Sequence, residues 1–254
     1  MITEYHRPST LESAIELLGR KSPQTVPLAG GTLLNRRSDQ TFAVVDIQDL
    51  SLKGISKEGN LIKLGSGLTF QELIDHPEIP LILKEACKRE TSYNLRQMSS
   101  LGGCAAASGG RSILLAVLLA LNVQLELQPD NTIIALGEVL PVRKQFMPKK
   151  LITSIIVNTL PHVTFEVVSK TPGDRPIAGI AIAQWPNGRT RVCSFGFGDH
   201  PVIAMDGPSA VGAEVAARNA FADSGDNNAS TSYREVIAEI LTKRCLEKLS
   251  GEAE

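Results

Sequence analysis

The fold of this chain is predicted from two glycine-centred stretches, Leu28-Ala29-Gly30-Gly31-Thr32 and Ser99-Ser100-Leu101-Gly102-Gly103-Cys104-Ala105-Ala106. Each stretch pairs two adjacent glycines with small hydroxylated residues and lies between apolar segments. Glycine permits a positive φ and lets another group approach the peptide plane closely. Bare backbone N–H groups in such a loop form a cradle for an anion, typically a phosphate. Two cradles in separate parts of one chain predict a ligand with a diphosphate in its middle, which is the pattern of a dinucleotide.

Each stretch also has a purely structural interpretation, and at this point both interpretations stay open. Gly30-Gly31 is equally typical of a tight turn after a strand. The small residues between Ser99 and Gly110 also suit a close crossing of a helix and a neighbouring backbone. The second stretch offers further hydroxyls, at Ser100 and Ser108 among others, and it precedes a helix N-terminus whose free N–H groups favour negative charge.

The arginines and the cysteine near the second stretch have the same double interpretation. Arg96 and Arg111 flank it and are candidates to pair with a phosphate or a carboxylate. An arbitrary arginine is more often solvated at the surface, and the same holds for Arg36 and Arg37. Cys104 has the place of a reactive thiol near a helix N-terminus, but a buried small residue is the simpler interpretation.

The amino-acid composition and net charge of the chain argue against several classes of protein. The chain has 254 residues, 43% hydrophobic and 21% charged, and its formal net charge of -1 points to neither nucleic acid nor an anionic membrane surface. Its four cysteines include no Cys-x-x-Cys pair, which argues against an iron–sulfur cluster, a zinc site or a disulfide scaffold. The four histidines lack metal-ligand spacing. We expect no metal, no membrane span and a reducing, cytoplasmic setting.

Hydrophobic periodicity predicts alternating helices and strands in the first part of the chain and mostly strands afterwards. Ser9 is expected to cap the first helix, with Glu12 completing a capping box. The apolar stretch 113–123 is expected to be a buried helix, because it is too short to span a bilayer. A boundary near residue 160 divides the chain into residues 1–160, an α/β lobe, and residues 161–254, a smaller α+β lobe. The closing helix is expected to bury one face, made of Tyr233, Ile237, Ile240, Leu241 and Cys245.

Several segments follow one another in the order and spacing of one protein family. They are Leu28–Thr32, Leu64–Thr69, Leu95–Gly103, Arg175–Ala181 and the pair Tyr233-Arg234. On these segments the chain resembles the FAD-binding middle subunit of the molybdenum hydroxylases, the family of aerobic carbon monoxide dehydrogenase and xanthine dehydrogenase. In that family the first segment usually reads Ala-Gly-Gly-Thr-Asp-Leu, and the third, Ile-Arg-Asn-x-x-Thr-Ile-Gly-Gly, holds the FAD diphosphate. The resemblance is spread over nearly the whole length.

The resemblance implies an α+β protein. It implies an FAD-binding domain of the PCMH (vanillyl-alcohol-oxidase-like) type with two α/β subdomains over residues 1–160, followed by a smaller α+β C-terminal domain with an antiparallel sheet plus helices. It further implies that FAD is the cofactor and that no residue of this chain acts as a catalytic acid or base. The implied cofactor-binding residues are Leu28, Ala29, Gly30, Gly31, Thr32, Leu33, Ser100, Leu101, Gly102, Gly103, Cys104 and Ser108.

The resemblance also implies partners. A separate iron–sulfur subunit would deliver electrons to FAD, and a molybdopterin-containing large subunit would oxidise the substrate. The expected assembly is a hetero-oligomer, such as a dimer of heterotrimers. The chain would then be the electron-transfer subunit that passes electrons from the iron–sulfur partner through FAD to an external acceptor.

The chain departs from the family's pattern at polar positions of the FAD site. Leu33 takes the place of the usual aspartate and Cys104 that of an asparagine. The run Gly109–Ile113 replaces Ser-Pro-x-x-Asp, so an aspartate expected near the ribityl chain or the flavin ring is missing. These losses spare the backbone cradle and weaken the hold on the flavin end. Two alternatives therefore stay open: a stand-alone FAD-dependent oxidoreductase of the same fold, and a degenerate scaffold subunit that no longer binds flavin.

Overall fold

The chain folds into three β-sheets with helices packed against them. The computed structural model describes residues 1–34 and 41–251, so Arg36 and Arg37 lie outside the described residues. The strands are β1 Ile2–His6, β2 Thr25–Leu28, β3 Phe42–Asp46, β4 Ile55–Glu58, β5 Leu61–Gly65, β6 Gln124–Gln128, β7 Thr132–Ala135, β8 Leu151–Asn158, β9 His162–Val168, β10 Ala178–Gln184, β11 Thr190–Phe195 and β12 Val202–Gly207. The helices are α1 Leu11–Gly19, α2 Phe70–Asp75, α3 Leu81–Glu90, α4 Tyr93–Arg96, α5 Leu101–Ala107, α6 Ile113–Ala120, α7 Leu136–Val139, α8 Arg143–Phe146, α9 Ala213–Asn219 and α10 Thr231–Ser250, with a 3₁₀ turn at Leu140–Val142.

A three-stranded parallel sheet with the order β1-β3-β2 occupies the N-terminal part. Its central strand β3 is apolar and buried because α1 covers it, and Ala14 and Leu18 of α1 pack in one cluster with Val45. β2 pairs with β3 up to the contact of Leu28 with Asp46. The first glycine stretch therefore leaves the sheet at the carboxyl end of an edge strand, where ligands of open α/β sheets commonly bind.

A five-stranded antiparallel sheet has the order β4-β5-β8-β6-β7. In β5 the apolar residues Ile62 and Leu64 are buried, whereas Leu61 and Lys63 are exposed, because successive side chains of a strand point to opposite faces. After β5 the chain turns through residues 66–69 into α2. This turn lies directly against the start of α5.

The apolar stretch expected to be a buried helix is α6, and all eight of its residues are buried. α6 packs on α3 and on β10 and β11 of a four-stranded antiparallel sheet with the order β12-β11-β10-β9. α10 packs on the other face of that sheet. Successive residues of β10 therefore face α6 and α10 alternately, which explains why the run 178–183 is buried throughout. Within residues 1–34 and 41–251, no helix is long and apolar enough to cross a membrane.

The predicted α+β class is confirmed, but two local predictions are wrong. Thr10, rather than Ser9, caps α1, and its hydroxyl accepts a hydrogen bond from the N–H of Ser13 at 3.3 Å. On α10, Tyr233 and Ile240 are exposed. The buried side of α10 consists of Arg234, Ala238, Leu241, Thr242 and Cys245. Apolar spacing misplaced this face because a hydrogen-bonded arginine and a threonine hold two of its buried positions.

Candidate functional site

A cleft of about 730 Å³ lies between the two glycine stretches and the segment 143–152. This volume is within the range of about 300–1,000 Å³ that is typical of small-molecule and cofactor sites. Leu28 and Leu101 do not line the cleft; Leu28 is the last residue of strand β2, and Leu101 is buried in the core. The other ten predicted residues line it: Ala29, Gly30, Gly31, Thr32, Leu33, Ser100, Gly102, Gly103, Cys104 and Ser108.

The first glycine stretch presents its backbone to the cleft. Within the described part of the chain, no hydrogen bond engages the N–H groups of Gly30, Gly31 and Thr32. Gly31 has a φ of +69°, which residues with side chains rarely adopt. A Cβ at position 30 would overlap the carbonyl oxygen of Met98. Three adjacent N–H donors are thus available to an anion. Glycine is required at position 30 by the close approach of Met98 and at position 31 by the positive φ.

The two glycine stretches meet in space at one end of the cleft. The backbone of Gly30 packs on that of Met98, and the Ser99 hydroxyl donates a hydrogen bond to Thr32 Oγ1 at 3.3 Å across 67 positions of sequence. Both stretches therefore belong to a single site, as the dinucleotide hypothesis requires.

The second stretch begins a helix and is not an open loop. Ser100 is the N-cap of α5, and its Oγ accepts a hydrogen bond from the N–H of Gly103 at 3.1 Å. The N–H groups of Leu101 and Gly102 donate to backbone carbonyls of the turn after β5, both at 2.8 Å. The expectation of bare N–H groups here is therefore wrong. A Cβ at Gly102 would lie 2.7 Å from the Cβ of Ser66, so the close crossing explains this glycine, and the stretch supplies a wall of small residues.

The cleft is lined by more cations than anions. Its basic residues are Arg20, Lys21, Arg143, Lys144, Lys149, Lys150 and Arg175. Ion pairs elsewhere in the protein engage Arg20, Lys144 and Lys150. Among the described residues, no carboxylate forms an ion pair with Lys21, Lys149 or Arg175. Unpaired cations around a concave site favour a polyanionic ligand such as a diphosphate.

Arg143 holds one wall of the cleft in place. Its guanidinium donates hydrogen bonds to the carbonyl oxygens of Ser108 at 2.8 Å and of Ala105 and Asp199 at 3.4 Å. Burial lowers the pKa of Arg143, but a guanidinium stays protonated in proteins. Its charge therefore lies at the C-terminal end of α5, where it also adds to the positive field of the cleft.

Glu90 is the acidic residue among the described cleft-lining residues. It ends α3, and its Oε2 accepts a hydrogen bond from the N–H of Leu114 at 2.9 Å, in the first turn of α6. Burial raises the pKa of this carboxyl, and the hydrogen bonds from the start of α6 only partly offset that effect. Glu90 thus brings a carboxyl to the start of α6, beside Ile113, where the family resemblance leads one to expect an aspartate.

Three other side chains considered from the sequence have structural roles. Arg111 donates two hydrogen bonds of 2.7 Å to backbone carbonyls of residues 175–176, so it connects two segments of the protein, and it does not line the cleft. Arg96 lies over the ring of Tyr93 and does not line the cleft. Cys104 is buried, and burial raises the pKa of its thiol to about 12. The thiol is therefore protonated at neutral pH, which favours the interpretation as a buried small residue.

One side of the cleft is formed by residues that were not predicted from the sequence. The segment 143–152 carries two basic pairs, Arg143-Lys144 and Lys149-Lys150, around a short apolar run. This clustering of cations in the sequence is a signal from which an anion-binding segment could be predicted. Ser66 and Glu90 gave no comparable signal, because each reaches the cleft only through a tertiary contact with a distant helix.

Known proteins resemble this chain in sequence and in fold. Residues 1–160 match the family model described as the FAD binding domain in molybdopterin dehydrogenase. The chain is 28% identical over 252 residues to the uncharacterized protein YgfM of Escherichia coli, covering 95% of this chain and 94% of that protein. It is 25% identical over 286 residues to the carbon monoxide dehydrogenase medium chain of Afipia carboxidovorans, covering 98% and 97%. A solved structure, the reconstituted CO dehydrogenase from Oligotropha carboxidovorans, shares its fold with a TM-score of 0.85 at 23% identity, covering 98% of each chain.

Proposed function

The chain belongs to the family of FAD binding domains in molybdopterin dehydrogenases, with FAD as its cofactor, and from this premise we propose that it is the electron-transfer subunit of a molybdenum hydroxylase complex. The observation that carries the proposal is the cationic cleft of about 730 Å³ at the meeting point of the two glycine stretches. Among the described residues, it offers three N–H donors that have no hydrogen-bond partner together with cations that form no ion pair, which is the donor set that a dinucleotide diphosphate requires.

The residues present fit FAD. The N–H groups of Gly30, Gly31 and Thr32 would hold the diphosphate, with Lys21 and Lys149 neutralising its charge. The small residues at the start of α5 leave the opposite wall open. When bound, FAD supplies the reversible uptake of electrons, which side chains do not provide. The protein's part is placement, charge compensation and exclusion of water.

The proposed partners are an iron–sulfur subunit and a molybdopterin-containing large subunit, in a hetero-oligomer. The four cysteines support this division of labour. They are all buried and unpaired, and burial raises the pKa of each thiol. Within residues 1–34 and 41–251, no three Cys, His, Asp or Glu side chains lie together as the ligands of a cluster would, so electrons would have to reach FAD from a cluster held by another chain. Within the complex, this chain would pass them to an external acceptor.

Retention of FAD tests the first half of the proposal. The purified chain, incubated with excess FAD and desalted, should keep the visible absorption of bound flavin. The variant Lys21→Gln/Lys149→Gln removes two cleft cations and should weaken FAD binding by more than about tenfold, since a single charge-assisted contact contributes about 1.5–3 kcal/mol and about 1.4 kcal/mol corresponds to a factor of ten. The matched control Lys243→Gln/Arg244→Gln removes two exposed charges from α10 and should bind like the wild type. If the wild-type chain retains no flavin, the proposal is contradicted and the alternative of a scaffold subunit that no longer binds flavin is favoured.

Co-purification tests the second half. A tagged chain expressed in its own host should co-purify with a protein that carries iron–sulfur clusters and with a large molybdenum protein. Without an added chemical reductant such as dithionite, its FAD should be reduced only when both proteins are present. A chain that carries FAD, purifies alone and is reduced directly by an organic substrate would support the stand-alone oxidoreductase instead.

A further inference from the structure

Ser66 is the first residue after β5 and lies in the wall of the cleft. Its backbone is fixed on both sides, because its N–H donates to the carbonyl of Thr153 at 3.0 Å and its carbonyl accepts from the N–H of Gly102 at 2.8 Å. The residue is 2% exposed, and within the described residues Ser66 Oγ has no hydrogen-bond partner.

A buried hydroxyl without a partner requires an explanation, because buried polar groups in folded proteins are nearly always hydrogen-bonded. Leaving one unpaired costs free energy. The hydroxyls of Ser194 and Ser224 are also buried and unpaired, but neither residue lines the cleft. Ser66 differs from them because its missing partner can be supplied by whatever occupies the cleft.

We propose that the Ser66 hydroxyl donates a hydrogen bond to an oxygen of the diphosphate–ribityl part of bound FAD, an assignment that rests on the proposed function. Since no hydrogen bond holds Oγ in its present position, rotation about the Cα–Cβ bond toward the cleft breaks none. The cations of the cleft favour a phosphate-bearing ligand. Ser66 adds a donor to a site in which Leu33 offers none.

A simpler explanation is that position 66 only has to be small. Gly102 approaches it so closely that a Cβ there would lie 2.7 Å from the Cβ of Ser66, and a large side chain at position 66 would push α5 away. On that explanation, alanine at position 66 would support folding and FAD binding as well as serine does. The two explanations therefore differ in a single substitution that changes no other atom.

The variant Ser66→Ala decides between them, with FAD binding and unfolding of the FAD-free chain measured side by side. We expect FAD to bind about three- to tenfold more weakly, the range for one lost hydrogen bond. The unfolding midpoint of the FAD-free variant should equal or exceed that of the wild type, because an unpaired buried hydroxyl has been removed. Ser194→Ala, which removes a buried unpaired hydroxyl outside the cleft, should leave FAD binding unchanged.

Comparing the affinities for ADP and FAD shows which part of FAD accepts the hydrogen bond. If ADP loses as much affinity as FAD, the bond goes to the diphosphate, and if only FAD loses affinity, it goes to the ribityl chain; both results support the assignment. Unchanged FAD binding by Ser66→Ala, or weaker binding together with a lower unfolding midpoint of the FAD-free chain, would overturn it and leave the proposed function standing. A wild-type chain that retains no FAD would overturn both.

Discussion

At the scale of single residues, three glycines of the cleft are required for three different reasons. Gly30 contacts the backbone of Met98, Gly31 has a positive φ, and Gly102 lies against Ser66. None of these reasons involves the ligand directly. The glycines shape the walls, and the N–H donors at residues 30–32 become available as a consequence.

Gly30→Ala should destabilise the protein and impair FAD retention. The added Cβ would overlap the carbonyl oxygen of Met98, so the two stretches must move apart, at a cost of about 1–3 kcal/mol for overpacking. Unfolding in urea and FAD titration measure the two effects. As a control, Gly19→Ala adds a Cβ at the end of α1 where no atom lies within 4 Å, and it should not lower stability. Equal stability of both variants would contradict the prediction.

Glu90→Gln should remove a pH-dependent loss of stability. Because burial raises the pKa of Glu90 above the 4.5 of a solvated glutamate, the folded state binds more protons than the unfolded state between pH 4.5 and the raised pKa. Stability therefore falls as the pH rises through that window, and the penalty persists above it. Glutamine keeps an acceptor for the N–H of Leu114 and carries no charge.

Urea unfolding at several pH values between 4.5 and 8 measures this effect. The wild type should lose stability relative to Glu90→Gln as the pH rises, so the variant is the more stable of the two at pH 8. Glu58→Gln, at an exposed position of β4, should follow the wild-type profile. Parallel profiles of the wild type and Glu90→Gln would show that the carboxyl is not penalised by burial.

At the scale of elements, caps and buried polar groups decide where helices begin and which face they bury. Ser100, Ser112 and Ser230 each cap a helix with a hydroxyl that accepts a backbone N–H. The buried face of α10 is set by Arg234, which is fully buried and donates to the carbonyls of Ile177 and Ser224 and to a carboxylate oxygen of Asp226 in the loop before α10. One guanidinium therefore joins α10, the start of β10 and the polar loop before α10.

Arg234→Met should destabilise the protein by about 2–6 kcal/mol, because the carbonyl oxygens of Ile177 and Ser224 lose a buried donor, at about 1–3 kcal/mol for each unpaired buried group. Arg218→Met is the matched control, since Arg218 is exposed and pairs with Glu239 on the surface at 3.0 Å. Its loss should cost about 0–1 kcal/mol. Thermal and urea unfolding compare the two, and similar losses would show that Arg234 is not a structural strut.

At the scale of the whole molecule, one hydrophobic core contains residues from both sides of position 160. The domain boundary at that position stays a prediction. The cluster around α6 contains residues of α3, α5 and β8 together with Phe165, Ala181, Cys193 and Phe195 from the four-stranded sheet. Arg111 further connects the start of α6 to residues 175–176. The core beneath the cleft and residues 161–254 are therefore joined through the same buried helix, α6.

The fragment 1–160 should not fold cooperatively by itself, although the family model ends at its last residue. Without residues 161–254, the face of α6 that packs on β10 and β11 would be exposed to water, and exposed apolar surface of this kind favours aggregation. We expect the fragment to bind a hydrophobic dye and to unfold without a sharp transition. A soluble fragment that unfolds cooperatively and binds FAD like the full chain would contradict this prediction.

The sequence alone determined the α+β class, the buried helix within residues 113–123 and the family, because these depend on local periodicity and on motif order. It also identified both glycine stretches of the cleft. It did not determine which of their N–H groups are free. The two Gly-Gly pairs look alike in sequence, yet Gly102 and Gly103 have their N–H groups engaged, whereas those of Gly30 and Gly31 have no partner within the described residues. Only tertiary structure decided this, because the acceptor for Gly102 and the contacts that shape the loop at Gly30 come from segments far away in sequence, which folding alone brings together.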